Sequence, residues 1–209
     1  MTVGMYYFTY VWSNANLFTI YATVNGIICA VAAFFSAALV KACRGKRGAL
    51  LLSYGCAFVL NIVLFFLNPA NASPTIVLGL LLATGVLNGF TTALLYGMIG
   101  DTVEYGQWKT GLRADGLCSS GTSFMLKLGG AIAPTLLLAL LAMNGYVEGA
   151  VTQSAGALSA MNLVMNLVPA ILSVVGFVLF FFYKLDGKLH TQIIADLRER
   201  GDFIVDEAE

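Results

Sequence analysis

Lys127 is the residue of this sequence whose chemistry most needs explaining. It lies ten residues into an apolar stretch that begins at Leu117, so at 1.5 Å of rise per helical residue it sits roughly 15 Å along a helix. A charge that deep in a bilayer costs several kcal/mol, and residues that carry one face a polar cavity, pair with another charge or mark a path through the membrane. Stepping by three or four positions from Lys127 meets Ser120, Ser123, Phe124, Gly130, Ala131 and Pro134, a stripe that is mostly small or polar. The opposite side carries Met125, Leu128, Ile132 and Leu136. Pro134 leaves the carbonyl of Gly130 without its helical donor, which is tolerated at membrane depth where backbone lines a cavity or meets protein. Two blander readings stand beside this one. Small residues also serve close helix packing. A helix shifted to make Lys127 interfacial leaves only about 15 apolar residues beyond it, short of the length a span needs.

A second polar stripe runs through Thr84, Asn88, Thr92 and Tyr96 at steps of four, with Gly85 and Gly89 alongside in GxxxG spacing. The glycines fit helix packing, and the hydroxyl and amide groups equally fit a ligand rich in hydroxyls. Tyr21, Asn25 and Ser36 repeat the pattern in an earlier stretch, and Tyr6, Tyr7 and Tyr10 cluster near the start. Tyr6 and Tyr10 suit either a binding wall or an interfacial aromatic belt.

These residues must be positioned by membrane helices. The 209 residues are 59% hydrophobic and 11% charged, with a mean hydropathy of +0.84, far from the averages of soluble domains. That excludes a soluble enzyme. Zero net charge excludes the basic surface that nucleic acid demands. Cys29, Cys43, Cys56 and Cys118 lack metal or disulfide spacing and read as small buried residues. Five stretches, 18–40, 49–67, 75–97, 117–142 and 160–183, are long enough to cross a hydrocarbon core of about 30 Å. Residues 1–12 reach only about 18 Å as a helix and read as the second half of a truncated span. Ten of the eleven Lys and Arg residues fall in 41–47, 109–113 and 184–200. The segments 68–74 and 143–159 have none, so the positive-inside rule places the basic loops and the C-terminus in the cytoplasm. Lys127 is the eleventh. No acid lies at its depth, so its counter-charge is expected outside this chain. Leu185, Leu189, Ile193 and Leu197 recur every four residues, an amphipathic helix expected to lie under the bundle or on the bilayer, or else to bind a partner. His190 is expected to be solvated there, and 202–209 to be an acidic, frayed end.

The run YGMIGDTVEYGQWKTGLRADGLCSSGTSFMLK, from Tyr96 to Lys127, and YKLDGKLHTQIIADLRER after the last span resemble the glycoside-pentoside-hexuronide:cation symporters. These are the melibiose-carrier relatives within the major facilitator superfamily. The resemblance covers essentially the whole chain as a C-terminal half. Its most specific part is D-T-x-E-Y-x-x-x-K-T-G-x-R-x-D-G followed by an intramembrane lysine. It implies an all-α membrane protein, the C-terminal six-helix half of a major facilitator superfamily transporter with its first helix truncated. Residues 1–183 would form the bundle and 184–209 a cytoplasmic tail.

The resemblance further implies that Asp101, Glu104, Arg113 and Asp115 belong to the loop between the tenth and eleventh helices, where charged pairs close one side of the transporter. Lys127 would face the sugar and cation region, with Thr122 and Ser123 just before it. On an ideal helix Thr122 points about 140° away from Lys127, which favours Ser123. Ser120, Thr92, Asn88, Tyr96, Tyr6 and Tyr10 complete the expected substrate wall, although Thr92 stands where some family members present an aromatic. The function implied is secondary transport of a glycoside, pentoside or hexuronide coupled to Na+ or H+, in a bacterial inner membrane, with no catalytic residue and no cofactor. The carboxylates for the coupling ion would lie in an N-terminal six-helix half that the chain lacks. Sugar, lipid bilayer and that half are the expected partners. The competing reading is a small non-transporting protein that associates through its glycine faces, or an inactive fragment.

Overall fold

The computed structural model describes residues 2–67, 73–150, 152–185 and 187–201. Helix α1 (Thr2–Tyr6) continues as a π-helical segment, Tyr7–Val11. Then come α2 (Ala15–Ala42), α3 (Lys46–Phe66), α4 (Pro74–Thr110) and α5 (Asp115–Met143). Helix α6 (Ala155–Asn162) passes through a second π segment, Leu163–Leu167, into α7 (Val168–Phe181), and α8 is Gly187–Glu199. Five stretches, Asn16–Ala42, Lys46–Phe66, Pro74–Thr110, Asp115–Met143 and Ala155–Phe181, are long and apolar enough to cross a membrane.

Helix ends follow local chemistry. The Asn14 side chain accepts from the Asn16 amide at 3.2 Å and opens α2. Ser154 Oγ accepts from the Ala157 amide at 3.1 Å and opens α6, so the last span starts before the expected residue 160. Arg44 (φ 56) and Gly45 (φ 147) reverse the chain between α2 and α3. Pro169 cannot donate to a carbonyl one turn back, and the π segment that directly precedes it, Leu163–Leu167, absorbs that mismatch.

The expectation that Asp101 and Glu104 belong to a loop needs correction. Helix α4 runs for 37 residues and stops only at Gly111, whose amide still reaches the Gln107 carbonyl and whose left-handed φ of 72 then turns the chain out of the helix. A helix of that length measures about 55 Å, well beyond a hydrocarbon core of about 30 Å. Hydropathy marks where a helix leaves the apolar layer and not where it ends, so Asp101 and Glu104 stand on helix. The sequence between α3 and α4, at 68–72, and the acidic end at 202–209 lie outside the described residues.

Helices α2 and α4 share the most extensive packing, and glycine makes it possible. A Cβ on Gly89 would lie 2.5 Å from the Cys29 carbonyl oxygen, and one on Gly85 would lie 2.0 Å from Asn25 Oδ1. The Gly85 carbonyl accepts from Cys29 Sγ at 3.1 Å. Helix α3 packs between α4 and α7, where Gly176 leaves room for the Tyr54 ring. Phe8, Leu64, Val77 and Leu81 form one apolar cluster, and Ala49, Leu50, Leu94 and Met98 another, at the basic end. Helix α5 is the exception. From Asp115 to Leu136 every residue except Cys118 and Thr122 is exposed in this chain, and the helix is anchored at its far end by Leu137 and Leu141 against Ala160 and Met161.

Candidate functional site

The polar residues expected to form one wall divide between two faces of α5. Thr122 turns toward α4 and shares a hollow of about 370 Å3 with Thr92, Leu95, Tyr96, Ile99 and Leu126. Thr122 also lines an adjoining hollow of about 640 Å3 that runs past Thr102, Cys118 and Gly121 toward the basic end. Its hydroxyl donates to the Cys118 carbonyl at 2.9 Å, and Thr102 Oγ1 donates to Met98 at 2.9 Å. Each hydroxyl oxygen keeps lone pairs free to accept from a ligand. Ser123 and Lys127, one helical turn apart, are exposed on the open side of α5. Ser120 is exposed as well, with its hydroxyl donated to Leu117 at 3.1 Å. Among the described residues Lys127 has no ion pair and no side-chain hydrogen bond.

The α4 stripe divides in the same way. Thr84 is buried and donates to its own helix at Leu81, 2.7 Å away, while Asn88, Thr92 and Tyr96 are exposed. Gly85 and Gly89 are spent on the seam with α2. Tyr6 and Tyr10 are drawn into an aromatic group that sequence reasoning missed. Their rings stack at 6.4 Å, and Tyr146 meets them edge-on at 5.5 and 6.0 Å, above Leu137, Leu141, Ala160 and Met161. Tyr146 stands in the connection after α5 with no periodicity to flag it. Burial, followed by its tyrosine neighbours, raises its pKa above the usual tyrosine range.

Another hollow, about 860 Å3 between α3, α4 and α7, is lined by Leu52, Val59, Leu60, Val86 and Phe177 among other apolar residues. It offers a sugar nothing to bond and suits lipid chains.

At the basic end the expected closure charges form two separate groups. Arg113 grips Asp115 through two bonds, of 2.7 and 3.1 Å, in the short connection between α4 and α5. Asp101 instead receives both its bonds from Lys46 of α3, at 2.6 and 2.7 Å. Glu104 meets His190 Nε2 of α8 at 2.6 Å, and the same nitrogen lies 3.5 Å from Asp101. His190 is therefore half-buried and bonded, where a solvated residue was expected. The missed signal was that His190, Ile193 and Leu197 share one ridge of α8, and Ile193 and Leu197 are fully buried. Trp108 Nε1 donates to Asp196 at 2.8 Å, and Arg200 donates to the Trp108 carbonyl at 3.1 Å. With the Lys46 ammonium on both Asp101 oxygens, this is an ion-pair cluster and not a cation cage.

The sequence matches the family described as MFS/sugar transport protein over residues 1–187. The chain belongs to that family. Among its relatives, the isoprimeverose transporter of Lactiplantibacillus pentosus is 34% identical over 157 residues, 75% of this chain and 32% of the relative. The glucuronide carrier protein homolog of Escherichia coli (strain K12) is 30% identical over 200 residues, 94% of this chain and 42% of the relative. A putative sulfoquinovose importer of the same strain is 27% identical over 201 residues, 96% of this chain and 42% of the relative. The chain thus spans less than half the length of each. As a member of the sugar transport family it is an integral membrane protein of the transporter class and not an enzyme.

Proposed function

We propose that this chain is the C-terminal six-helix half of a cation-coupled symporter for a glycoside, pentoside or hexuronide. It would act with an N-terminal half in a bacterial inner membrane, its basic end and α8 in the cytoplasm. The observation that carries the reading is Lys127. It stands at mid-span depth, uncovered by its own chain, one turn from Ser123 and on a different face of α5 from the hollow that holds Thr92, Tyr96 and Thr122. An ammonium in that position needs a carboxylate or a ring of hydroxyls brought by something else. A second half supplies one and a sugar the other.

Sugar hydroxyls entering between the halves meet the threonine and tyrosine hydroxyls of the α4 and α5 hollow. Lys127 exchanges a carboxylate of the other half for substrate as Na+ or H+ arrives, and the halves rock about the occupied site. Relatives named as carriers of isoprimeverose and of glucuronide support the substrate class. The competing reading, a small protein that associates through glycine faces, loses its footing because Gly85 and Gly89 are already engaged with α2.

The test is cation-driven uptake of labelled glycosides by a full-length transporter carrying this half. Lys127→Ala is expected to abolish accumulation. Normal accumulation in that variant would refute the assignment of the site to the open side of α5.

A further inference from the structure

Two carboxylates and one permanent cation meet at the basic ends of α3 and α4, and the imidazole of α8 stands beside the surplus negative charge. Lys46 satisfies Asp101 at 2.6 Å. Glu104 has His190 as its side-chain partner among the described residues, at 2.6 Å, and that nitrogen is also 3.5 Å from Asp101. All four side chains are sheltered, Asp101 most at 13% exposure and Lys46 least at 38%. The Tyr183 hydroxyl, in the connection from α7, lies close enough to feel Asp101. Burial chiefly raises its pKa, so it adds no charge at neutral pH.

We propose that His190 is a proton-operated clasp that fastens α8 to the ends of α3 and α4. With the imidazolium the cluster holds two positive and two negative charges. With neutral imidazole it holds one positive and two negative, in a place where water screens poorly. Docking of α8 is therefore firmest while the imidazole is protonated and weakens once it gives up the proton. The buried Ile193 and Leu197 carry no proton, so they keep the helix from detaching wholly while its edge at the Trp108 to Asp196 bond loosens. The clasp stands at the basic end, apart from the hollow lined by Thr92, Tyr96 and Thr122. It lets the acidity of the compartment around α8 set how tightly α4, the helix that carries Thr92 and Tyr96, is held at its basic end.

The chain has two tryptophans, so a Trp12→Phe chain in nanodiscs leaves Trp108, bonded to α8, as the fluorescent reporter of docking. Between about pH 5 and about pH 8, the interval in which imidazoles change charge, its emission is expected to move several nanometres to the red. His190→Gln keeps an N–H donor without charge and is expected to abolish the shift, with emission fixed at the red position. His190→Lys carries a permanent charge and is expected to fix it at the blue position, which tests the clasp even if the Gln variant fails to fold. An unchanged pH response in either variant, or none in the parent, would overturn the proposal. So would a blue shift that requires added Zn2+ and disappears with a chelator, since that is the behaviour of a metal site.

Discussion

Gly89 and Lys127 place opposite demands on their surroundings, one for closeness and one for company. At Gly89 a methyl group meets the Cys29 backbone oxygen at 2.5 Å, whereas at Gly85 it meets the Asn25 side chain, which can turn away. Gly89→Ala is therefore expected to lower stability by on the order of 1 to 3 kcal/mol and Gly85→Ala by less. Thermal unfolding of both variants in one detergent gives the comparison, and equal losses would mean that the α2 and α4 seam is looser than it looks. At Lys127 an arginine is expected to restore little transport to the alanine variant, because a planar five-donor fork does not replace a compact ammonium. Ser123→Ala and Thr122→Ala should each cost on the order of 1 kcal/mol in substrate affinity. Uptake kinetics of the full-length carrier distinguish them, since loss at Thr122 alone would assign the sugar to the α4 hollow and not to the open face. The depth of Lys127 and the need for an outside partner were legible in spacing alone. Which of Thr122 and Ser123 looks at α4 was not, because a helical wheel gives the angle between two side chains but not the direction of the neighbouring helix.

The elements were legible where hydropathy and capping agree, as at Asn14 before α2. They were obscured where a helix outlives its apolar stretch, as α4 does. Treating Asp101 and Glu104 as loop residues hid their real partners, since a solvated loop has no fixed neighbours while a helix aims Asp101 at Lys46 and Glu104 at His190. The Arg113 and Asp115 pair, by contrast, is exposed at 36% and 57% and ties the four-residue connection 111–114 to the first residue of α5. Its loss should change stability by no more than about 1 kcal/mol. If it helps to close the transporter, Arg113→Ala should slow translocation more than it weakens binding. Counterflow set against equilibrium binding separates the two effects, and a fall in binding alone would remove Arg113 from any closure role. Ile193→Asp, which puts a carboxylate at a fully buried position of α8, should raise proteolysis of α8 while leaving α2 to α5 intact. Equal cleavage in parent and variant would mean that α8 is not held by that face.

For the molecule as a whole, the distribution of bases fixes an expected orientation. In cells, a membrane-impermeant thiol reagent should reach a cysteine introduced at the exposed Val147 and should miss one at Lys109, with the native cysteines replaced by serine. The reverse pattern would invert the chain in the membrane. The bare polar side of α5 has a consequence for the bilayer itself. A copy inserted without a second half presents its ammonium to acyl chains, and lipid headgroups and water are drawn inward to meet it, thinning the membrane beside one helix. Covering that side of α5 is therefore expected to let the bilayer keep its ordinary thickness beside the helix.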